Sequence, residues 1–277
     1  MSFVAVPGLA WHTEGHRRVA EDAVTLLPPE VPRFFREGAA TVGHGAVDPD
    51  LWKLDALVEL DDGESPEHYL DVENLRGHPW PPTRSQAERL YRRLRIEGKG
   101  TGYLPWSIVE GIERLAVGFA EHRARPDDPA IRAKCLVWAG WVAHYVGDLG
   151  QPLHTTIHHN GRTRVGKPSP GTGMHHKIDG LFERVELDRR EVLRGVELRP
   201  VADLHAFVRE RFHESHGLVD ATYDLLPAID GPQGMADPAV VAFTRERYRA
   251  TARQTAEALL AAWRLSGEIE LPSWLER

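Results

Sequence analysis

The sequence predicts an all-α protein, and three observations carry this prediction. Apolar residues recur at the spacing of a helix along most of the chain. No segment shows the two-residue alternation that is typical of a half-buried β-strand. Proline and glycine stand at the ends of the periodic stretches, where helices usually stop. Together they indicate a single domain of about seven to nine helices, with no internal repeat and no clear linker.

The first half of the chain contains three predicted helices. The first covers residues 15–27, places His16 on its buried stripe and ends at two consecutive prolines. Two more cover residues 85–96 and 107–123, with a glycine-rich break between them. The segments 43–50 and 76–83 are rich in glycine or proline and are predicted as loops.

The second half begins with the most hydrophobic predicted helix, at residues 130–150, which ends before Pro152. Residues 155–173 are polar, rich in glycine and proline, and without period, so we expect a long loop there. Loops of this length inside a domain are usually functional. Helical periodicity returns over residues 175–185, 204–226 and 238–265.

Composition and charge exclude several classes of protein. The 277 residues are 42% hydrophobic and 27% charged, which excludes collagen-like, low-complexity and wholly disordered chains. The net charge of -7 provides no global attraction for polyanions, so any nucleic acid or phospholipid must bind through a local site. The single cysteine, Cys135, excludes an intramolecular disulfide and a cysteine-based zinc cluster. No apolar run reaches the about 18 residues of a transmembrane helix, and no obligate protein partner is indicated.

The 15 histidines are the unusual feature of the composition, and several of them stand near aspartates. His144 and Asp148 are four residues apart on the most apolar predicted helix, so they share one face. His154 follows just after the end of that helix, and His175 and Asp179 repeat the same spacing. One such pair alone is more often a surface pair or a capped core histidine. Two pairs so close in sequence predict a metal site, because buried ionisable groups are costly unless they are paired or bind a cation.

The donor types narrow the choice of metal and of chemistry. Imidazole and carboxylate ligands without thiolate suit zinc, manganese or iron, and an abundance of histidine favours catalytic zinc. Two ions about 3.5–4 Å apart can activate a water molecule and stabilise a leaving oxygen at phosphorus. Hydrolysis of phosphate esters is the reaction class that best uses such a site.

Five short motifs are similar to those of a known superfamily. This superfamily joins the zinc-dependent bacterial phospholipases C to the single-strand-specific nucleases typified by P-one nuclease. The resemblance extends over residues 11–179, and its most specific part is the block of His144, Asp148 and His154. The motifs are WHTEGH at 11–16, GAVDPD at 45–50, HYLD at 68–71, HYVGDLGQPLH at 144–154 and HHKID at 175–179.

The resemblance implies an all-α fold with a cluster of about two to three zinc ions in a cleft. It also implies the ligands of each ion. The first ion would be held by Asp50, His68, His144 and Asp148, the second by His154, His175 and Asp179, and the third by Trp11, His16 and the shared Asp148. Asp50 would in addition be the catalytic residue that orients the attacking water.

Two of these ligands have alternative interpretations. Asp50 could instead cap a helix that begins at Leu51, and Asp48 competes for the same role. We favour Asp50 because it follows Pro49, as the pattern of the family requires. His68 could be a packed loop histidine.

Two candidates for substrate contact lie beside His68. Tyr69 could stack on a base or a head group, although an aromatic residue in such a position is more often part of the core. Asp71 in the same motif is the second candidate. We expect His158, His159 and His176 to face solvent.

The N-terminus departs from the family pattern. In the family, mature chains start at the tryptophan, whose amino group and carbonyl oxygen both bind zinc, whereas residues 1–10 precede Trp11 here. An amide nitrogen is a poor zinc ligand. Residues 8–10 resemble a signal-peptidase site, so we predict that residues 1–10 are an extension or a signal-peptide remnant before one domain at 11–277. Secretion or export to the periplasm is expected. Retention of the segment would predict a cytoplasmic enzyme with a weakened third site.

Two substrate classes compete within this family. The short spacing from Trp11 to His16 and the aspartate at 179 favour a single-strand nuclease or 3′-nucleotidase, while the patterns at 45–50 and 102–106 favour a phospholipase C. The sequence therefore predicts a metal-dependent phosphodiesterase, with a nuclease first and a phospholipase C second. A non-hydrolytic metal-binding or biosynthetic protein on the same scaffold is the alternative from another class.

Overall fold

The computed structural model describes residues 11–276, and this part of the chain is helical without any β-strand. The predicted fold class is therefore confirmed. None of the helices in this range combines the length and the apolar character needed to cross a membrane. The expected extension at residues 1–10 lies outside the described residues.

The helices differ widely in length. The α-helices are α1 (Thr13–Thr25), α2 (Arg33–Arg36), α3 (Ala39–Gly45), α4 (Asp48–Leu51), α5 (Val58–Glu64), α6 (Arg84–Leu94), α7 (Leu104–Ala124), α8 (Pro129–Leu149), α9 (Met174–Asp179), α10 (Leu181–Arg184), α11 (Arg189–Leu193), α12 (Leu204–His216), α13 (Val219–Asp224), α14 (Leu226–Ile229) and α15 (Pro238–Leu265). Short 3₁₀-helices cover Ser65–His68, Val72–Leu75, Pro152–Thr155, Gly234–Ala236 and Ser273–Glu276.

The two longest helices of the second half begin at sites that the sequence marks clearly. The carboxylate of Asp128 accepts hydrogen bonds from the backbone N–H groups of Ala130 and Ile131, and α8 starts with a proline directly after it. Asp237 caps α15 in the same way, with a proline in the first turn. Such caps satisfy N–H groups that have no partner inside the helix. The predicted bounds of α15 are therefore confirmed to the residue.

Helix α8 is the centre of the fold. It packs against α7, α15, α3 and α1, and almost every side chain of its second half is buried. Ala139, Val142 and Val146 belong to the main hydrophobic core together with Phe119 of α7. Because α8 is surrounded by other helices, its polar residues His144 and Asp148 are carried into the interior and are 0% exposed.

The segment 43–50, predicted as a loop, is largely helical. It contains the end of α3 and the start of α4. Its glycines serve close packing rather than a turn, because the backbone of Gly45 lies against that of Gly140 in α8. This contact brings Asp50 to the last turns of α8.

The other differences concern short helices. Residues 175–185 form two helices that meet at Gly180, and residues 204–226 contain a break after α12. The described residues contain more helices than the expected number, because helices of four to seven residues are too short to show a period. The loops at 76–83 and after residue 155 are confirmed.

Because α3 and α8 are in close contact, we expect one added methyl group at Gly140 to have a large effect on stability. A Cβ atom on Gly140 would lie 2.6 Å from the carbonyl carbon of Gly45 and 2.8 Å from the nitrogen of Ala46. Since both are backbone atoms, Gly140→Ala should force the helices apart and lower the free energy of unfolding by about 1–3 kcal/mol. Urea unfolding measures this loss.

Gly63→Ala is the matched control, because a Cβ atom at that helical position would meet no atom within 4 Å. Here alanine should leave stability unchanged or raise it by up to about 1 kcal/mol through its helix propensity. Equal stability of the two variants would contradict the packing argument.

Candidate metal centre

Eight imidazole and carboxylate side chains converge around the last turns of α8. They come from six helical elements, and all but one of them are buried. His175 is the exception and is partly buried. The donors are His144 and Asp148 on α8, His16 on α1, Asp50 on α4, His68 and His154 in 3₁₀-helices, and His175 and Asp179 on α9.

The first group of donors is His68, His144 and Asp148, whose ligand atoms lie within 4.8 Å of one another. The Nδ1 atom of His68 lies 3.0 Å from both His144 Nε2 and Asp148 Oδ2. The Oδ1 atom of Asp50 is 3.8 Å from His144 Nε2 and 3.9 Å from His68 Nδ1. His144 is oriented by its other nitrogen, because Nδ1 lies 2.8 Å from the carbonyl oxygen of Ala46. Four donors therefore face one point.

The second group consists of His154, His175 and Asp179. The Nε2 atoms of the two histidines are 3.0 Å apart, and His175 Nε2 lies 3.4 Å from Asp179 Oδ1. The side chain of Gln151 donates a hydrogen bond of 2.7 Å to Asp179, which fixes the carboxylate. The Nδ1 atom of His154 is 2.6 Å from the carbonyl oxygen of His68, so its Nε2 atom is directed at the group. Partners of this kind set ring orientation in metal sites.

A third group joins His16, Asp50 and His144. The Nε2 atom of His16 is 3.4 Å from Asp148 Oδ1, and its ring is stacked on that of His144. Asp148 thus faces the first group with Oδ2 and His16 with Oδ1, which is the arrangement of a bridging carboxylate.

Trp11 is buried beside this third group, but its side chain has other partners. The indole nitrogen donates a hydrogen bond of 2.8 Å to the carbonyl oxygen of Gly147, next to Asp148 in sequence. The ring is stacked on Phe182 at 3.5 Å. Main-chain ligation by Trp11 therefore stays a prediction.

The two aspartates of the loop predicted at 43–50 have different surroundings. Asp50 belongs to the cluster and lies within α4, whose N-cap residue is Val47, so Asp50 is not a helix cap. Asp48 instead lies 3.4 Å from the indole nitrogen of Trp141. The geometry thus favours Asp50 over Asp48 as a donor.

Many buried donor atoms of the cluster lack a hydrogen-bond partner. Among the described residues, sixteen buried side-chain nitrogen and oxygen atoms have none, and eight of them belong to this cluster. These eight are both ring nitrogens of His16, both carboxylate oxygens of Asp50 and of Asp148, Nε2 of His68 and Oδ2 of Asp179. Several of them lie close to a charged or ring atom without the geometry of a hydrogen bond, as Asp50 Oδ1 does beside Lys53 and Asp148 Oδ2 beside His68. Because buried polar atoms without good hydrogen bonds are costly, the donor set fits a bound cation.

The protonation states support this fit. Burial lowers the pKa of His154 to about 4 and that of His175 well below its ordinary value, so both rings keep a free lone pair at neutral pH. Burial alone would raise the pKa of Asp148, but the rings of His144 and His154 hold it well below its usual range. Burial raises the pKa of Asp179, which lies close to other carboxylates. A metal requires neutral imidazoles and ionised carboxylates, and His154, His175 and Asp148 match that state. Asp179, and His144, whose pKa is raised against the effect of burial by Asp148 and Asp50, would have to lose a proton when the cation binds.

Lys53 is a site residue that we did not predict. Its ammonium nitrogen lies 2.7 Å from Asp50 Oδ1 and 3.4 Å from His68 Nδ1, and the side chain is only 8% exposed. It offsets part of the negative charge of the cluster. The spacing of three residues from Asp50 was the available signal, since such residues share a helix face.

Glu64 and Tyr145 form a second layer behind His68. The hydroxyl of Tyr145 donates a hydrogen bond of 2.5 Å to Glu64 Oε1, which lies 3.2 Å from His68 Nε2. The carboxylate is therefore held on the side of the ring opposite the cluster. Glu64 stands four residues before His68, the same spacing as His144 and Asp148, and this was the available signal; Tyr145 has no such spacing.

The cluster borders a cavity of about 410 Å³. Its wall contains Lys53, three of the histidines, and both residues predicted to contact substrate. The hydroxyl of Tyr69 donates to the carbonyl oxygen of Lys99. Burial, together with the charge of Glu73, raises the pKa of Asp71 to about 7.

His159, predicted to face solvent, also lines this cavity, with its ring 5.8 Å from that of His175. The prediction was wrong because the loop after residue 155 folds back over the site. His158 is half-buried too, and its Nδ1 accepts a hydrogen bond from the backbone N–H of Thr163. His176 is exposed, as expected.

The structure thus brings together all seven predicted histidine and aspartate ligands outside α1, together with His16, at one end of α8. Comparison with models of known protein families and with curated protein sequences finds no match for this chain. Its function therefore has to be inferred from the donor geometry and from the cavity beside it.

Proposed function

We propose that this chain is a zinc-dependent hydrolase of phosphodiester bonds, acting most effectively on single-stranded nucleic acid or 3′-nucleotides. One observation carries the proposal: a buried cluster of imidazoles and carboxylates borders a cavity whose wall also contains the ammonium group of Lys53. Among residues 11–276, half of the buried side-chain polar atoms that lack a hydrogen-bond partner belong to this cluster. This combination suits a phosphate group, which needs several positive charges around it.

The residues would divide the metal ions into three sets, which differ from the three donor groups in that Asp50 and His144 belong to the first ion and Asp148 joins His16 at the third. Asp50, His68, His144 and Asp148 surround one position, and His154, His175 and Asp179 surround another. His16 and Asp148, with the main chain of Trp11, are proposed for a third. When bound, zinc would lower the pKa of water and neutralise charge that develops at phosphorus.

The remaining steps belong to side chains of the protein. Lys53 is placed to contact a non-bridging phosphate oxygen, because its ammonium group lies in the cavity wall beside His68. Burial opposes ionisation of Asp50, but His144 and Lys53 lower its pKa to about 2, so it stays ionised and can accept a hydrogen bond from the attacking water. The water then attacks phosphorus and releases a proton to solvent, the P–O bond to the leaving group breaks, and the leaving oxygen takes up a proton from solvent.

The cavity wall favours a nucleotide. The ring of Tyr69 offers an aromatic surface for a base, and Asp71 offers a carboxyl group for a polar edge or a sugar hydroxyl. The hydroxyl of Tyr69 is already engaged with the main chain, so the ring is the part left to contact substrate.

A phospholipase C is the second candidate, and one observation favours it. The segment between Asp50 and Glu64 exposes five aliphatic side chains, and helix α5 within it has no buried residue. The segment reaches the cavity through Lys53, and Ser65, which directly follows the segment, lines the cavity as well. An exposed aliphatic patch at the entrance of a site is typical of a surface that meets lipid. The five side chains are Leu51, Leu54, Leu57, Val58 and Leu60.

Metal content tests the proposal directly. We expect the purified chain to bind about two to three zinc ions, and chelation to lower the melting temperature because the ions bind only the folded state. The Asp148→Asn variant should bind at least one zinc ion fewer than the unmodified chain, since Asp148 faces two donor groups. Mass spectrometry of the metals and thermal melting measure both effects.

His122→Ala is the control for loss of a buried imidazole outside the cluster, and it should keep the full metal content. Finding iron alone, or no metal, in the unmodified chain would contradict the proposal.

Activity should depend on the same residues. In parallel zinc-replete assays of single-stranded DNA, RNA, 3′-nucleotides and phosphatidylcholine, we expect hydrolysis of the nucleic acids and nucleotides. His144→Ala and Asp148→Asn should lower kcat/KM by about a hundredfold or more, because each removes a ligand of the reacting centre. Wild-type rates in both variants would place the activity elsewhere, and cleavage of phosphatidylcholine alone would establish the second candidate.

Glu64 should contribute to metal affinity through His68. Glu64→Gln and Tyr145→Phe leave every donor in place but weaken the group that orients the ring, so each should raise the zinc dissociation constant by about tenfold. Competition with a chromogenic chelator measures the constant. Glu59→Gln, an exposed change on the same helix, should have no effect. Unchanged affinity in the Glu64 variant would show that His68 needs no such partner.

A further inference from the structure

A second cavity of about 350 Å³ adjoins the one at the metal centre. The two cavities share three residues in their walls, namely Asp71, Gly100 and His159. The two cavities are therefore neighbours, and we call the pair the groove; His154 and His175 line its first cavity only. A substrate with a single phosphate and a small substituent would fill only the first part.

The far part of this groove carries cations. Arg76, Arg95 and Lys167 line it, and all three are exposed. Within residues 11–276, none of them lies within ion-pairing distance of a carboxylate, whereas Arg84 and Arg162 elsewhere are paired with acidic residues. In a chain with a net charge of -7, the groove is a local site of positive charge.

The acidic residues of the groove do not cancel this charge. Glu97 is exposed at its edge, and Asp71 lies where the two cavities meet. Burial raises the pKa of Asp71 to about 7, so it is only partly ionised at neutral pH. Among the residues that line this cavity, three cations therefore face one full negative charge and one partial charge. The neighbouring carboxylate of Glu73 is not in the wall and accepts hydrogen bonds from Thr156 and Ile157.

The backbone gives a second, independent observation. Arg76 and Arg95 are the two non-glycine residues with positive φ in the described chain, at +52° and +55°. Each follows the end of a helix, at the position where glycine is the preferred residue. An arginine there costs free energy relative to glycine. That both strained positions carry a guanidinium, and that both line the same groove, points to a use for the two side chains.

We propose that Arg76, Arg95 and Lys167 bind a phosphate of a single-stranded polynucleotide next to the one that is cleaved. The inference rests on the proposed function, because it takes the metal centre as the place of the scissile phosphodiester. Guanidinium groups suit phosphate oxygens, which they contact through two parallel N–H groups. His159, in the shared wall, lies between the two phosphate positions.

A single-stranded polynucleotide fits this groove better than a phospholipid does. A phospholipid such as phosphatidylcholine has one phosphate, which the metal centre would already hold, and it leaves nothing anionic for the three cations. A polynucleotide repeats its phosphates, so a neighbouring one enters the second cavity as the scissile one enters the first. The groove thereby explains how an acidic chain can attract a polyanion at one place.

The test uses glycine at the two strained positions. Arg76→Gly with Arg95→Gly removes both guanidinium groups, and glycine accepts positive φ, so stability should be unchanged or raised. The probe is a fluorescein-labelled phosphorothioate oligothymidylate of about ten nucleotides, which resists cleavage and matches the usual site sizes. Fluorescence anisotropy with the full zinc-loaded chain gives the dissociation constant at several salt concentrations.

We expect the double variant to bind about five- to tenfold more weakly at low salt, and the slope of log affinity against log salt to fall by about 0.7, because one phosphate contact is lost. Arg92→Ala with Arg93→Ala is the matched control. It removes the same charge from exposed positions of α6 that do not line either cavity, and should change affinity less than twofold.

Three results would overturn the inference. They are unchanged binding in the glycine variant, an equal loss in the matched control, and binding of phosphatidylcholine vesicles by the wild type without binding of the oligonucleotide. Hydrolysis of bis(4-nitrophenyl) phosphate, which has a single phosphate, separates this inference from the proposed function. If that hydrolysis persists without oligonucleotide binding, only the inference fails. If the oligonucleotide binds but no phosphodiester is cleaved, only the proposed function fails.

Discussion

The burial of Asp148 is the constraint on which the rest of the structure depends. A carboxylate at 0% exposure in the most apolar helix would destabilise the fold unless other groups compensated for its charge. His16, His68 and His144 all approach it within 3.4 Å. Each of these rings comes from a different helix. Compensation of the buried charge of Asp148 therefore constrains where these helices end and how they cross.

Helix packing supplies the precision that this arrangement needs. The glycine contact between α3 and α8 sets the distance at which the carbonyl oxygen of Ala46 meets the ring of His144. Directly beyond that contact, α4 presents Asp50 and Lys53 to the same centre. The donor groups thus stand on rigid helical elements rather than on free loops, which keeps their mutual distances fixed.

The sequence predicted those parts of the site and of the fold whose residues follow the regular spacing of a helix. His144 with Asp148, and His175 with Asp179, follow from the spacing of four residues on a helix, and α15 follows from its cap and its apolar stripe. The helical character of residues 43–50 could not be predicted in this way, and the spacing of Lys53 from Asp50 becomes a signal only once that segment is known to be helical. Short helices are stabilised by tertiary packing rather than by their own sequence, and their side chains show no periodicity.

The second donor group also has a consequence for the integrity of the chain. His154 and His175 stand 21 positions apart, on either side of the long polar loop, and their ring nitrogens meet at 3.0 Å. A cation held between them would close that loop as a disulfide bond does. By lowering the conformational entropy of the unfolded chain, it would stabilise the fold by on the order of 3 kcal/mol. A protein with one cysteine has no disulfide of its own to perform this task. The same cation site would then serve both the reaction and the stability of the fold, because it would link the two ends of the loop.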